Sequence, residues 1–383
     1  MLAARTRAVL ARSSGAYLAT DDTSAAARAF RQRQAAEITN LAGVPLASWS
    51  LRLDGLVHDP AAVRAQQRTY GAPAVIAQVS LSYALQFVDD RPTTHTLWLT
   101  FVRRDGHTLV AGDDALTADG SVSWRGPWDF GPVQTARGTH TLVLGPPSAG
   151  SALLKLAGIV DAAVPAVTAV WGGGWSQRVA VIVPSSTAEF DALTGTGSTV
   201  SDLSAVAVTD GIDTVSQQPY GQRLVLAPAA LAHLSTVGEG IVLRHEITHL
   251  ATAADTSATT PRWLVEGFAD YVANLTSGQR VGTAASELRT AVRAGSVPAA
   301  LPGEADFART GVALARAYEQ SWLACRLIAA RAGQDGLVRF YRSVGTSDAP
   351  ADRAVATAVR DVLHESVSAF TAQWRHYLRA ELS

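Results

Sequence analysis

"RHEITHL" at residues 244–250 and "PRWLVEGFADY" at 261–271 are the stretches on which the second half of the chain turns. Just ahead of the first, Thr236–Glu239 reads T-V-G-E, a capping-box pattern before an apolar run, and it predicts a helix that includes 241–252. Residues four apart share one face of a helix, so His245 and His249 project side by side. Paired imidazoles of this kind suit zinc, whose bonds to histidine nitrogen are about 2.0–2.1 Å. Glu246 sits one step round the helix, close enough to touch a water between the imidazoles without being a ligand itself.

The second stretch predicts another helix, with Thr260 as its cap and Pro261 at its first position. Glu266 offers a carboxylate as third ligand. Asp270 lies four residues on, on the same face, and is the candidate to accept the outward ring N–H of a ligand histidine. Gly267 costs about 1 kcal/mol relative to alanine inside a helix. A close approach of the two helices would explain accepting that cost.

The five-residue pattern alone is not decisive. With 9 histidines in the chain, composition alone would produce H-E-x-x-H in roughly one such sequence in two hundred. The bland alternatives are a solvated helix with two surface histidines and an amphipathic helix with two exposed acids. The two segments together argue against both, because a catalytic zinc needs three protein ligands and one open position.

"HEITHL", ten further residues and then "PRWLVEGFADY" resemble the gluzincin metallopeptidases, especially the bacterial MA-like peptidase domains. "AYEQSWLACRLIAARAGQDGLVRFY" (317–341) is similar to a downstream helix of such domains, and "FTAQWRHYL" to their closing helix. The resemblance covers residues from about 150 to 383. It implies a zincin-type domain with a small sheet and a mostly helical remainder. It implies Zn2+ held by His245, His249 and Glu266, Glu246 as general base, and a peptide or protein substrate. Gluzincins often place a tyrosine or histidine from a downstream helix on the oxyanion, and Tyr318 is the candidate here, with His233 and His364 as others. Tyr318, Trp322 and Cys325 also form a plain packing stripe at helical spacing. The spacing from His249 to Glu266 is shorter than in thermolysin-like or aminopeptidase N-like enzymes. No G-x-M-E-N signature exists, since Met1 is the only methionine, so the expectation is an endopeptidase. The alternative is a non-catalytic, zinc-stabilised binding module or an inactive homologue. Glu246 separates the two, because a purely structural site has no use for a base beside its first ligand.

The whole chain sets outer bounds. It has 383 residues, 48% of them hydrophobic, and a formal net charge of −1. That near balance argues against nucleic acid as a partner. Lys155 is the only lysine, and Cys325 the only cysteine, so no intramolecular disulfide can form. No apolar run reaches the roughly 18 residues of a membrane span, so no integral span is expected. Arg5, Arg7 and Arg12 interrupt the first twenty residues, which do not read as a signal peptide. The resemblance leans towards the cell envelope or outside.

Upstream, the expected class is α+β. Residues 2–42 read as two helices, broken at Asp21–Ser24, with Asp22 or Thr23 capping the second. From Ala47 the apolar period shortens towards two. "SWSLRLDGL", "VIAQVSLSYALQF" and "HTLWLTFVRR" read as strands, with a hairpin turn at Asp105-Gly106 and a short further strand in "SVSWRGPWDF". Helices packed on a curved antiparallel sheet follow. In this order of elements the segment resembles nuclear transport factor 2-like and cystatin-like domains. "LGPPSAG" (144–150) is the expected boundary between an accessory domain, 1–145, and the metallopeptidase-like domain, 146–383. Beyond it come an Ala/Val-rich helix over 151–170, a tight "WGGGW" connection, and strands at 178–184 and 223–228. The last of these, "RLVLAP", reads either as an edge strand open to an extended peptide or as an interior strand.

Overall fold

The computed structural model describes residues 1–195, 204–228 and 235–383. The fold is α+β, and the described residues fall into two compact units. One unit takes in 1–158, 178–213 and 219–231, the other 159–177, 214–218 and 232–383.

The first unit begins with helices α1 (Leu2–Leu10), α2 (Ser14–Leu18) and α3 (Arg28–Asn40). The break between the helical pieces falls where expected, but α3 starts at Ala27 without a side-chain cap. Asp22 is engaged elsewhere, bonding Ser24 and accepting from Arg104 at 2.7 Å. Strands β1 (Leu46–Leu56), β2 (Ala74–Leu85), β3 (Thr93–Arg104) and β4 (His107–Gly112) form an antiparallel sheet in that order. The β3–β4 turn places both Asp105 and Gly106 at positive φ, 47° and 80°, as a two-residue hairpin of this twist requires. Helix α4 (Pro60–Tyr70) lies between β1 and β2 and was not expected. Its signals were present in the sequence: Asp59 accepts from Ala61 and Ala62 N–H, Pro60 opens the helix, and Gly71 ends it at φ 59°. "SVSWRGPWDF" forms no ladder strand. Trp128 is buried and packs edge-on against Trp49 at 5.5 Å, and Trp124 stacks on His95 at 3.9 Å.

A second, mixed sheet completes this unit. Its strands are β5 (Gln134–Arg137), β6 (Thr141–Gly145), β7 (Val179–Ile182), β8 (Ala205–Val208) and, after the short pair β9 (Gly211–Ile212) and β10 (Pro219–Tyr220), β11 (Arg223–Leu226). The order is β5-β6-β7-β11-β8. The expected boundary near 145 therefore falls inside a sheet, because β6 pairs in parallel with β7, beyond the Pro/Gly break. β11 lies between β7 and β8, so "RLVLAP" is an interior strand and not an edge open to peptide; among the described residues the edges are β5 and β8. Helix α6 (Thr187–Thr194) packs Phe190 against Ile182 and Val225. Arg223 is buried and makes a two-pronged bond to Asp89, 2.6 Å on each prong.

Helix α5 (Gly150–Trp171) runs from the first unit into the second. Residues 147–171, interrupted by Lys155 and Asp161, are long and apolar enough to cross a membrane by length and composition alone, a test that the core helix of a folded protein also meets, and 39% of the apolar window is buried.

The second unit is helical from Thr236 onward. Its helices are α7 (Thr236–Thr252), α8 (Arg262–Asn274), α9 (Val281–Ala284), α10 (Ser286–Arg293), α11 (Gly311–Ala332), α12 (Gln334–Gly345), α13 (Ala351–Ala358) and α14 (Val367–Leu382). The core is aromatic: Trp171, Phe268 and Tyr341 meet pairwise with ring centres 4.9–5.4 Å apart. Phe340, Phe370 and Trp374 are fully buried. The close approach at Gly267 is to α11. A Cβ there would stand 2.4 Å from the Ser321 carbonyl oxygen, so the glycine lets α8 lie against α11 and not, as expected, against α7.

Candidate metal centre

Helix α7 starts at Ser235, whose hydroxyl accepts from Gly238 N–H, one residue before the expected box. α8 takes Pro261 as its N-cap, and the Arg262 N–H donates to Glu304 Oε1 at 3.0 Å. Thr260 instead accepts from Ser257 N–H within the connecting turn. Arg244 Nε donates to the Ala273 carbonyl at 3.0 Å and ties α7 to α8. Two helices fixed in this way bring three donor atoms together.

His249 Nε2 lies 3.0 Å from His245 Nε2, and Glu266 Oε2 is 3.4 Å and 3.6 Å from the two nitrogens. A triangle with those sides has its centre about 1.9 Å from each corner, close to the zinc–ligand bond length of about 2.0–2.1 Å. Among the described residues these are the three His, Cys, Asp or Glu side chains whose ligand atoms converge on one point. The set of two imidazoles and one carboxylate is one that zinc accepts. The His245 and His249 side chains remain 13% and 21% exposed, so the cluster can be reached from outside.

Asp270 Oδ1 is 2.8 Å from His245 Nδ1. With a cation at the cluster, that bond would hold the ring proton on Nδ1 and free Nε2, which faces His249 and Glu266, to bind it. Burial disfavours a charged His245, yet Asp270, Glu266 and Glu246 outweigh it and lift its pKa well above the ordinary value. Burial likewise works against an ionised Glu266, and its bonds to the two imidazoles hold its pKa well below the usual carboxylate range. Both shifts describe a pocket that favours positive charge at the point where the donors meet.

Glu246 is half-buried and interacts electrostatically with both His245 and Tyr318. The Tyr318 ring is 6.3 Å from His245 and 5.6 Å from Phe307. Burial, then the negative charge of Glu266, raises its pKa, so its hydroxyl stays protonated as a donor. The packing stripe splits: Trp322 and Cys325 are buried while Tyr318 is half-buried beside the imidazoles. His364 is exposed, at a left-handed turn with φ 58°. His233 lies outside the described residues. Two neighbours of the cluster went unread in the sequence. Arg262 could have been found, since it is four residues before Glu266 on the same helix face. Phe307, from a loop, carries no local signal.

No family model matches the chain, and no curated protein matches it. Among solved structures it is similar to a two-domain M1 zinc metallopeptidase bound to L-tryptophan, at 16% identity and TM-score 0.36 over 79% of this chain and 61% of that one. It is similar to an M1 zinc metallopeptidase from Deinococcus radiodurans at 13% identity and TM-score 0.36, over 82% and 91% of the two chains. A two-domain M1 zinc metallopeptidase bound to L-arginine gives 14%, 0.37, 82% and 90%. The chain spans less than two thirds of the first of these. At such TM-scores the likeness does not extend to sites or activity.

Proposed function

We propose that the chain is a zinc-dependent peptidase that cleaves internal peptide bonds. The observation that carries this reading is the meeting of His245, His249 and Glu266 at one reachable point, with Glu246 on the next position of the same helix. A zinc ion held there supplies Lewis acidity, which lowers the pKa of water towards about 7 and polarises a carbonyl. Glu246 takes the proton of the attacking water and hands it to the leaving amine. Tyr318 donates its hydroxyl hydrogen to the developing oxyanion. Asp270 keeps the His245 ring in the orientation that turns Nε2 inward.

The test is metal analysis of the purified chain together with cleavage of a mixed-peptide library by wild type and Glu246→Gln. The expected result is about one zinc per chain in both proteins and internal cleavage by the wild type alone. A wild type that binds zinc but cleaves nothing would favour a zinc-stabilised binding module, and a variant that still cleaves would remove Glu246 as the base.

A further inference from the structure

The two oxygens of Glu266 face different partners. Oε2 points at the imidazoles, 3.4 Å from His245 and 3.6 Å from His249. Oε1 lies 3.5 Å from a terminal nitrogen of Arg262, one turn earlier on α8. Arg262 is held on its other sides. Its backbone N–H is bonded to Glu304, and its guanidinium sits 5.2 Å from the centre of the Phe307 ring. Phe307 in turn packs edge-on against Tyr318.

The Arg262 side chain is 47% exposed and that of Glu266 12%; solvent around the guanidinium screens a pair of this kind, worth about 0.3–0.5 kcal/mol on a helix, so folding gives little reason for this one. Its place gives a better reason. A carboxylate can bind a metal through one oxygen or two. If both Glu266 oxygens bound, they would fill the position that a catalytic site must leave for water. A guanidinium on Oε1 opposes that rotation, because the carboxylate would have to give up a charged partner to turn.

We infer that Arg262 is a positioning residue which, by holding the outer oxygen of Glu266, restricts this ligand to a single bond with the metal and keeps one coordination position open. The inference rests on the zinc-binding reading above. Metal affinity is a poor readout, since removing the positive charge of Arg262 also removes a repulsion on the incoming cation. The number of carboxylate oxygens on the metal is the direct one.

The experiment uses the full chain loaded with Co2+ in place of Zn2+, as wild type, Arg262→Lys and Arg262→Met. Wild type and the lysine variant should show the intense visible bands of four-coordinate cobalt. The methionine variant keeps the aliphatic stem without the charge, and its bands should shift as a second carboxylate oxygen takes the place of water. Its kcat should fall more than its KM rises. Superimposable cobalt spectra for wild type and Arg262→Met, with one ion bound to each, would overturn the inference while leaving the metal site intact. A second measurement needs no variant: X-ray absorption on the zinc-loaded wild type should find one carboxylate oxygen bonded to zinc, and two would overturn it. A wild type that takes up neither ion fails at the earlier step and overturns both readings.

Discussion

His245 and Asp270 come from different helices, 25 positions apart, and meet at 2.8 Å, ring Nδ1 to carboxylate Oδ1. The bond does two things. It fixes which ring nitrogen carries the proton, and it puts a negative charge behind the imidazole that makes its inward nitrogen a stronger donor. Replacing Asp270 with asparagine keeps the size and loses the charge. The expected outcome is a zinc dissociation constant about 10–100-fold weaker, measured by competition with a chromophoric chelator. An unchanged constant would reduce Asp270 to a packing residue.

Tyr318 faces the same imidazole from α11, across 6.3 Å between rings. Its pKa is raised, so it stays a hydrogen-bond donor throughout the neutral range. Tyr318→Phe removes that donor and little else. If the hydroxyl serves the oxyanion, kcat for a cleaved peptide should drop about 10²–10³-fold, with KM and bound zinc nearly unchanged. Equal loss of kcat and zinc would instead mark a structural role.

What could be read in advance followed from helical spacing. His245, His249, Glu266 and Asp270 are pairs at i and i+4, and such pairs meet on a helix whatever the rest of the chain does. The capping residues were read less well, because Thr260 and Asp22 found partners outside their own helix ends. Strand β11 could not be assigned an interior place from its own residues, since that depends on β8 adding to its far side. The sheet that crosses position 145 was hidden for the same reason: β6 and β7 pair in parallel across the whole of α5. Helix α4 is the reverse case, as Asp59, Pro60 and Gly71 spelled its two ends locally.

At Gly267 there is no room for a Cβ between α8 and α11, since it would stand 2.4 Å from the Ser321 carbonyl oxygen. Alanine there would gain about 1 kcal/mol in helix propensity and lose about 1–3 kcal/mol to overpacking, because the Ser321 carbonyl is backbone and cannot swing aside. Glu266 is the adjacent residue, so any parting of the helices shifts the third ligand. Gly267→Ala should show a lower urea midpoint with an unchanged m-value, and weaker zinc binding alongside it. A midpoint at or above that of wild type would mean the helices part without strain.

Glu319 gives a dependence on pH that owes nothing to the metal. Its carboxylate accepts the N–H groups of Glu287 and Leu288 at the start of α10, at 3.2 Å and 2.5 Å. Burial outweighs those bonds and pushes its pKa up from 4.5 to about 7. The folded chain therefore holds this proton more tightly than the unfolded chain. Below pH 4.5 both forms are protonated and the contribution is complete. Between pH 4.5 and 7 the unfolded chain releases the proton first, so stability falls as pH rises; above about 7 both are ionised and the loss levels off. Glu319→Gln keeps an oxygen for the helix end and has no proton to lose. Its melting temperature relative to wild type should rise from pH 5 to pH 8, read by circular dichroism at the two values. A difference that stays constant, or shrinks, across that interval would place the Glu319 pKa near its ordinary value, with the two N–H bonds compensating its burial.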